Sequence, residues 1–162
     1  MQSADAIVIL GNCQFEKGGF QNRFRHKGYW NTFQTSRNGK NINQKIYISP
    51  LYDWKIICKR LSIPKRLQDD IAALLGPSLI DTNINIIKYI ANRLKIKTKI
   101  LQDYPTNLSG TERLVDLCQK YGASEYLSGP SGNTYLDKFM FSDIKLSFFK
   151  SSSADHVLTK LK

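Results

Sequence analysis

The run from Ser109 to Asp137 constrains the fold of this chain more than any other segment. Ser109 can cap a helix while Glu112, three residues on, reaches back to the backbone N–H of Ser109, so the spacing predicts a helix start. Gly122 supplies the left-handed residue that ends such a helix. This helix would carry one apolar stripe, formed by Leu114, Leu117, Cys118 and Tyr121.

A short strand and a glycine-rich loop follow this helix. Tyr126-Leu127 reads as a strand that runs directly into Ser128–Gly132. In open α/β sheets, ligands bind beyond the carboxyl ends of strands, where such loops lie. Backbone N–H groups of the loop can hold a phosphate or carboxylate. The alternative is a tight turn that binds nothing.

Upstream, strand patterns alternate with turns. Ala6–Leu10 is a continuous apolar run that predicts a strand buried on both faces. Phe20–Arg25 and Trp30–Thr35 are candidate strands. Asn38-Gly39 is a hairpin turn signal. The hairpin would place three isoleucines on one face: Ile42, Ile46 and Ile48.

The middle of the chain is helical in pattern. One face is formed by Trp54, Ile57, Cys58 and Leu61, and a second by Leu67, Ile71, Leu74 and Leu75. Asp81 or Thr82 can cap a third helix whose stripe is Ile84, Ile87, Ala91 and Leu94. Lys97–Leu101 and Ile144–Phe149 then read as strands.

The order of elements predicts an α/β fold. We expect a mixed sheet with helices packed on it, a hairpin insertion, and a parallel, right-handed βαβ unit from Lys97 to Leu127. A single domain over residues 1–150 is followed by a short tail at 151–162. A chain of 162 residues can bury a core without disulfides.

Composition limits the function classes. No apolar run is long enough for a membrane span, and Ala6–Leu10 is too short for a signal peptide. Three widely spaced cysteines and two isolated histidines predict neither disulfides nor a metal site, and no cofactor motif is present. We expect a cytoplasmic protein with reduced cysteines. Cys118 is predicted to be a core residue.

The net charge of +11 raises nucleic-acid binding as an alternative. Basic and aromatic residues alternate between Arg23 and Trp30. Such a surface can stack nucleobases on its aromatic rings and contact phosphates with its basic side chains. The lysines are otherwise scattered, which favours an ordinary solvated basic surface.

Two separated blocks of the sequence occur in the same order in one known family. The first comprises Ser3–Leu10, Gln14–Lys17 and Phe20–Arg23, and the second Arg113-Leu114, Lys120–Ala123, Tyr126–Gly132 and Tyr135–Asp137. In these residues the chain resembles the WbqC-like protein family, which is encoded largely in bacterial surface-polysaccharide gene clusters. The resemblance implies a role in O-antigen (lipopolysaccharide) or capsule biosynthesis. The implied reaction is acyl or aminoacyl transfer to a nucleotide-activated amino sugar.

The chain also departs from that family. Members normally carry another strand and a Gln-Pro-x-Tyr-x-Pro-Trp segment upstream of the residues matched by Ser3–Leu10, and a His-Pro-x-Tyr-x-Gln segment where this chain has Ser151–Ser153. Two acids usually follow the strand that here ends at Gly11-Asn12. We therefore expect an incomplete or inactive member with an exposed apolar edge or cleft along Ile7–Leu10.

The resemblance and the residue chemistry together define a candidate site for an anionic small molecule or nucleotide sugar. Its ligand-binding residues are Glu16, Gln21, Asn22, Arg23, Arg113, Ser128, Gly129, Ser131 and Gly132. Arg23 can hold a phosphate bidentately. Arg113 lies in a first helical turn, where the dipole disfavours a cation, so it is either held for an anionic ligand or an ordinary solvated arginine. Tyr135 and Asp137 are the catalytic candidates; a plain surface pair is the alternative.

Overall fold

The computed structural model describes residues 4–26 and 28–149, so the predicted tail at 151–162 lies outside the described residues. The chain forms two compact units, of which the first ends at Tyr104 and the second begins at Pro105. The mixed α/β class is confirmed. A single domain over residues 1–150 stays a prediction.

The described residues of the first unit form four strands, three α-helices and a 3-10 helix at Ile42–Gln44. In chain order the strands and α-helices are β1 (Ala6–Ile9), β2 (Arg23–His26), β3 (Tyr29–Thr32), α1 (Pro50–Leu61), α2 (Lys65–Ala72), α3 (Leu79–Arg93) and β4 (Lys99–Gln102). The second unit contains α4 (Gly110–Lys120), β5 (Glu125–Ser128), 3-10 helices at Pro130–Thr134 and Lys138–Phe141, and β6 (Lys145–Phe148). Every helix in these described ranges is too short or too polar to cross a bilayer.

The strands pair in three two-stranded sheets. β1 is parallel to β4, with Ala6 opposite Lys99, and β5 is parallel to β6, with Glu125 opposite Lys145. β2 and β3 form an antiparallel hairpin. The predicted βαβ pairing between the strands at Lys97 and Leu127 is wrong, because each of those strands pairs with a different partner.

β1 is less buried than its apolar sequence predicts. Ala6 is exposed and the rest of the strand is half-buried; among the described residues only β4 pairs with it. At its carboxyl end, the N–H groups of Gly11 and Asn12 and the Asn12 side-chain amide donate to the Asp103 carboxylate at 2.8–3.2 Å. Acids at positions 11 and 12 would face a like charge there, so Gly11-Asn12 suits this junction.

The chain reverses around Asn38-Gly39 as predicted, and Gly39 has a φ of +83°. The N–H of Ser36 donates to Ile46 and that of Ile48 to Gln34, so the flanking segments run antiparallel. The predicted inward face is wrong, however. Ile46 and Ile48 are 51% and 60% exposed, whereas the alternate residues, Lys45 and Tyr47, are buried.

A buried lysine explains this inversion. Lys45 is 7% exposed, and its Nζ donates to the carbonyls of Ser36, Arg37 and Asn38 at 3.1–3.2 Å. It also lies 5.1 Å from the ring centroid of Phe15. One ammonium thus bonds the carbonyls of three successive residues of the turn. Turning Ile46 inward would turn Lys45 outward and leave those carbonyls without their donor.

The three helices of the first unit form its core as predicted. Trp54, Ile57 and Cys58 are buried on α1, and Leu67 and Ile71 on α2. α3 begins three residues earlier than expected, because the Ser78 hydroxyl, and not Asp81 or Thr82, caps it by accepting from the N–H of Asp81. Burial raises the pKa of the Cys58 thiol to about 11.

α4 starts and ends where the sequence predicts. Ser109 is its N-cap residue, but its side chain makes no capping bond, so the predicted capping box is wrong. Gly122 has a φ of +64°, and the N–H of Ala123 donates to Cys118, which closes the helix in the predicted left-handed manner. Cys118 is buried in the core as predicted, and burial raises the pKa of its thiol.

Replacing Lys45 with Met keeps the aliphatic bulk but removes the donor from three carbonyls. We expect the free energy of unfolding to fall by about 1.5–3 kcal/mol, because hydrogen bonds from a charged group are lost. Urea denaturation measures this change. Lys40→Met, an exposed lysine of the same loop, is the control, and unfolding curves that coincide for both variants would contradict the role of Lys45.

Candidate functional site

A cavity of about 330 Å³ opens within the first unit, between the segment that leads into β2 and helices α1–α3. Pockets of this size, mostly apolar with a few polar groups, are typical of small-molecule sites. Its apolar wall consists of Phe20, Phe24, Phe33, Trp54, Ile71, Leu75, Ile86, Ile87 and Ile90. Its polar members are Gln21, Asn22, Arg23, Tyr47, Thr82 and Asn83. Three predicted ligand-binding residues therefore line one cavity.

A second, larger depression of about 580 Å³ lies beside the amino-terminal ends of β1 and β4. Ala4, Asp5 and residues 95–99 line it, and none of them is a predicted site residue. Because it lacks aromatic side chains and lies at the end of the strands opposite to that favoured for ligand binding, we place the candidate site in the smaller cavity.

Asn83 of α3 forms hydrogen bonds with two other segments that line the smaller cavity. Its Oδ1 accepts from the Tyr47 hydroxyl at 2.9 Å, and its Nδ2 donates to the backbone carbonyl of Gln21 at 2.7 Å. Both bonds join segments far apart in sequence. The segment Gln21–Arg23 is thereby held against α3.

Tyr47 keeps its proton in this network. The side chain is buried, and this burial raises the pKa of its phenol well above the ordinary value. A neutral phenol can donate to Asn83, whereas a phenolate cannot. Tyr47 therefore acts at physiological pH as a fixed hydrogen-bond donor and not as a base.

Arg23 is the only charged residue among the described residues that line the cavity. Its guanidinium lies over the Trp30 ring at 3.9 Å, and its Nε and Nη2 donate to the carbonyls of Gly19 and Gly18. These bonds use two of its five N–H groups. The other three have no partner in the part of the chain that the structure describes, so the fixed arginine retains capacity for an anion.

The other predicted residues of this block have different positions. Asn22 is structural, since its Nδ2 donates to the carbonyl of Phe33 at 2.7 Å and its own carbonyl accepts from Phe33. The Gln21 side-chain oxygen is buried, and no described group donates a hydrogen bond to it. Glu16 is exposed and is not among the residues that line the cavity.

In the second unit, Ser128–Gly132 leads into a 3-10 helix directly after β5. Ser128 is 3% exposed, and its hydroxyl donates to the carbonyl of Gly129. A Cβ at Gly132 would lie 2.0 Å from the Ser128 Oγ, so close packing requires this glycine. The Gly132 N–H donates to Gly129 at 3.0 Å, so this donor is used within the turn. Ser131 is exposed.

The remaining predicted residues also lie in the second unit. Arg113 is 6% exposed, so the alternative of an ordinary solvated arginine is wrong. Asp137 is exposed and caps the 3-10 helix Lys138–Phe141, since its carboxylate accepts from the N–H of Phe139. Its own N–H donates to the Thr111 hydroxyl at 3.1 Å. Tyr135 is 64% exposed.

Arg23 and Ser128–Gly132 belong to different units, and their convergence on one cleft stays a prediction. Among the described residues, no three His, Cys, Asp or Glu side chains lie close enough together to hold a metal ion. The residues that sequence reasoning missed are Tyr47, Trp54 and Asn83. The sequence contains a signal for Asn83, which lies four residues after Leu79 and three before Ile86, on an apolar face of α3 beside the predicted stripe.

A double-mutant cycle tests the Asn83 bridge. We expect Tyr47→Phe and Asn83→Ala each to lower the free energy of unfolding by about 1–3 kcal/mol and to couple by about 1 kcal/mol, because they share one hydrogen bond. Denaturant melts of the two single variants and the double variant measure the coupling. Asn85→Ala, at an exposed position of the same helix, is the control, and strict additivity would contradict the bridge.

Comparison with known proteins places the chain in a family. A protein of Mycobacterium tuberculosis (strain ATCC 25618 / H37Rv), described as "Uncharacterized protein Rv1507c", is 28% identical over 164 aligned residues, which cover 88% of this chain and 70% of that protein. No solved structure matches. The family model of the WbqC-like protein family matches residues 65–156, more than half of the chain, and includes Asn83 and the predicted residues from Arg113 to Asp137. The chain belongs to the WbqC-like protein family.

Proposed function

We propose that this chain binds an anionic small molecule, a nucleotide-activated sugar of surface-polysaccharide biosynthesis, with Arg23 as the anchor for its phosphate. The observation that carries the proposal is the placement of one arginine in the wall of an otherwise uncharged cavity. A guanidinium that its neighbours fix recognises phosphate or carboxylate strongly, because its planar N–H groups match two oxygens of the anion.

The hydrogen bonds around Arg23 support a site that is formed before the ligand binds. Asn83 fixes the carbonyl of Gln21, two residues before Arg23, and the carbonyls of Gly18 and Gly19 fix the guanidinium. A ligand would therefore meet a side chain whose conformational entropy is already lost. Such preorganisation increases affinity without additional contacts.

The cavity itself favours binding over chemistry. Tyr47 is its one titratable side chain besides Arg23 among the described lining residues, and it is held as a neutral donor. We therefore keep Tyr135 and Asp137 of the second unit as candidates for the transfer step. The transfer of an acyl or aminoacyl group to the sugar rests on the family resemblance, and Arg113 and Ser128–Gly132 stay candidate ligand contacts within the second unit.

The test is calorimetric titration of the full chain with UDP-N-acetylglucosamine as the probe. We expect Arg23→Met to weaken binding roughly ten- to a hundredfold, as for the loss of a charge-assisted bond of about 1.5–3 kcal/mol. Arg25→Met is the matched control, since Arg25 is exposed on the same strand and does not line the cavity. Arg23→Lys, which keeps the charge, should weaken binding less than Arg23→Met.

Two results would contradict this function. Equal weakening by Arg23→Met and Arg25→Met would indicate a general effect of basic charge, and an unchanged affinity in Arg23→Met would exclude Arg23 as the anchor. Thermal melts of each variant separate loss of binding from loss of folding, since Arg23 also holds Gly18 and Gly19.

A second candidate, single-stranded nucleic-acid binding, is favoured by one specific surface. Phe20 and Tyr29 are 75% and 71% exposed, and the rings of Phe20 and Trp30 lie 5.3 Å apart. Exposed aromatics beside arginines can stack bases. Oligonucleotide affinity that falls steeply with salt and is lost in Trp30→Ala would favour this candidate over the sugar ligand.

A further inference from the structure

We infer that the cavity of the first unit binds a medium-length acyl chain, whose anionic head is held by Arg23. This inference rests on the proposed function, since it uses the same arginine, and it adds a substrate class: an anionic amphiphile with a saturated tail of about ten carbons. A polar sugar ring alone would leave most of the cavity wall without a matching surface.

The wall requires an apolar occupant. Trp54, Ile71 and Phe33 belong to the buried core, and Phe24, Ile86 and Ile90 pack against it. The Trp54 indole is fixed by a bond from its Nε1 to the carbonyl of Gln68 at 3.0 Å. An apolar chain matches this part of the wall better than water does, because water needs polar partners.

The volume sets the length of the tail. An apolar cavity of about 150 Å³ accommodates a six-carbon ring, so about 330 Å³ corresponds to roughly a dozen carbon atoms on that scale. An acyl chain of about ten carbons fills the space while its head remains at the arginine.

The head group must be anionic, and one residue, Arg23, binds it. Arg23 is the one charge among the described lining residues, and three of its N–H groups are available. A carboxylate and a phosphate share the bidentate geometry that a guanidinium binds. Decanoate represents a carboxylate head group and decyl phosphate a phosphate head group. The one that binds with the higher affinity identifies the natural head group.

The chain offers its own reporter. It contains two tryptophans; Trp54 lines the cavity and Trp30 does not. In Trp30→Phe the fluorescence comes from Trp54 alone. We expect decanoate and decyl phosphate, each below its micellar concentration, to shift this emission saturably. Affinity should rise about fourfold per methylene from six to ten carbons, from about 0.8 kcal/mol per buried CH₂, and then level off.

Two variants locate the tail and the head. Ile90→Phe, which fills the cavity, should abolish the response, whereas Ile56→Phe, at an exposed position outside the cavity, should not. Arg23→Met should weaken decanoate at least tenfold but leave the uncharged decanol unchanged. If Ile90→Phe fails to fold, Ile86→Phe serves the same purpose.

Three results would overturn the inference. They are the absence of a saturable change in Trp54 fluorescence, an affinity that does not depend on the length of the acyl chain, and binding of decanoate to the Ile90→Phe variant as tight as to the parent protein. If UDP-N-acetylglucosamine still binds through Arg23 in that case, the proposed function stands without the acyl site. Acyl binding that persists where the nucleotide sugar does not bind supports the acyl site and removes the sugar from the proposed function.

Discussion

The hydrogen bonds of Asn83 are the interaction on which the candidate site depends. One side chain connects α3 to the phenol of Tyr47 and to the backbone of Gln21, segments that lie 36 and 62 residues away. Without it, the segment that carries Arg23 would have no polar attachment to α3 among the described contacts. An amide on an apolar helical stripe costs stability unless both its ends are bonded, and here both are.

The same principle recurs at Lys45 and at Asp103. Each is a charged group that binds several main-chain groups: three carbonyls accept from Lys45, and the N–H groups of Gly11 and Asn12 donate to Asp103. Loops of the first unit are therefore fixed by single side chains rather than by long ladders. This arrangement lets short strands of four residues support a preformed cavity.

Sequence patterns predicted the helices and most strands, because apolar periodicity reports burial directly. The inward face of the segment at Lys45 could not be predicted, since a lysine alternating with isoleucines normally points to solvent. The pairing of β4 with β1 also escaped prediction, because pairing across nearly a hundred residues leaves no local pattern. Of the residues that line the cavity, Gln21–Arg23 were predicted as ligand-binding residues with the help of the family resemblance, and their binding of a ligand stays a prediction. Tyr47 and Trp54 were not predicted, because both read as ordinary core residues.

Hydrogen–deuterium exchange with and without UDP-N-acetylglucosamine tests most directly whether this cavity is the ligand site. Binding there should slow exchange in residues 20–24 and in residues 82–90 of α3, because the ligand would bridge these two walls. The effect should disappear in Arg23→Met and persist in Arg25→Met. Slowing confined to residues 105–149, or equal slowing in both variants, would contradict a ligand site at Arg23.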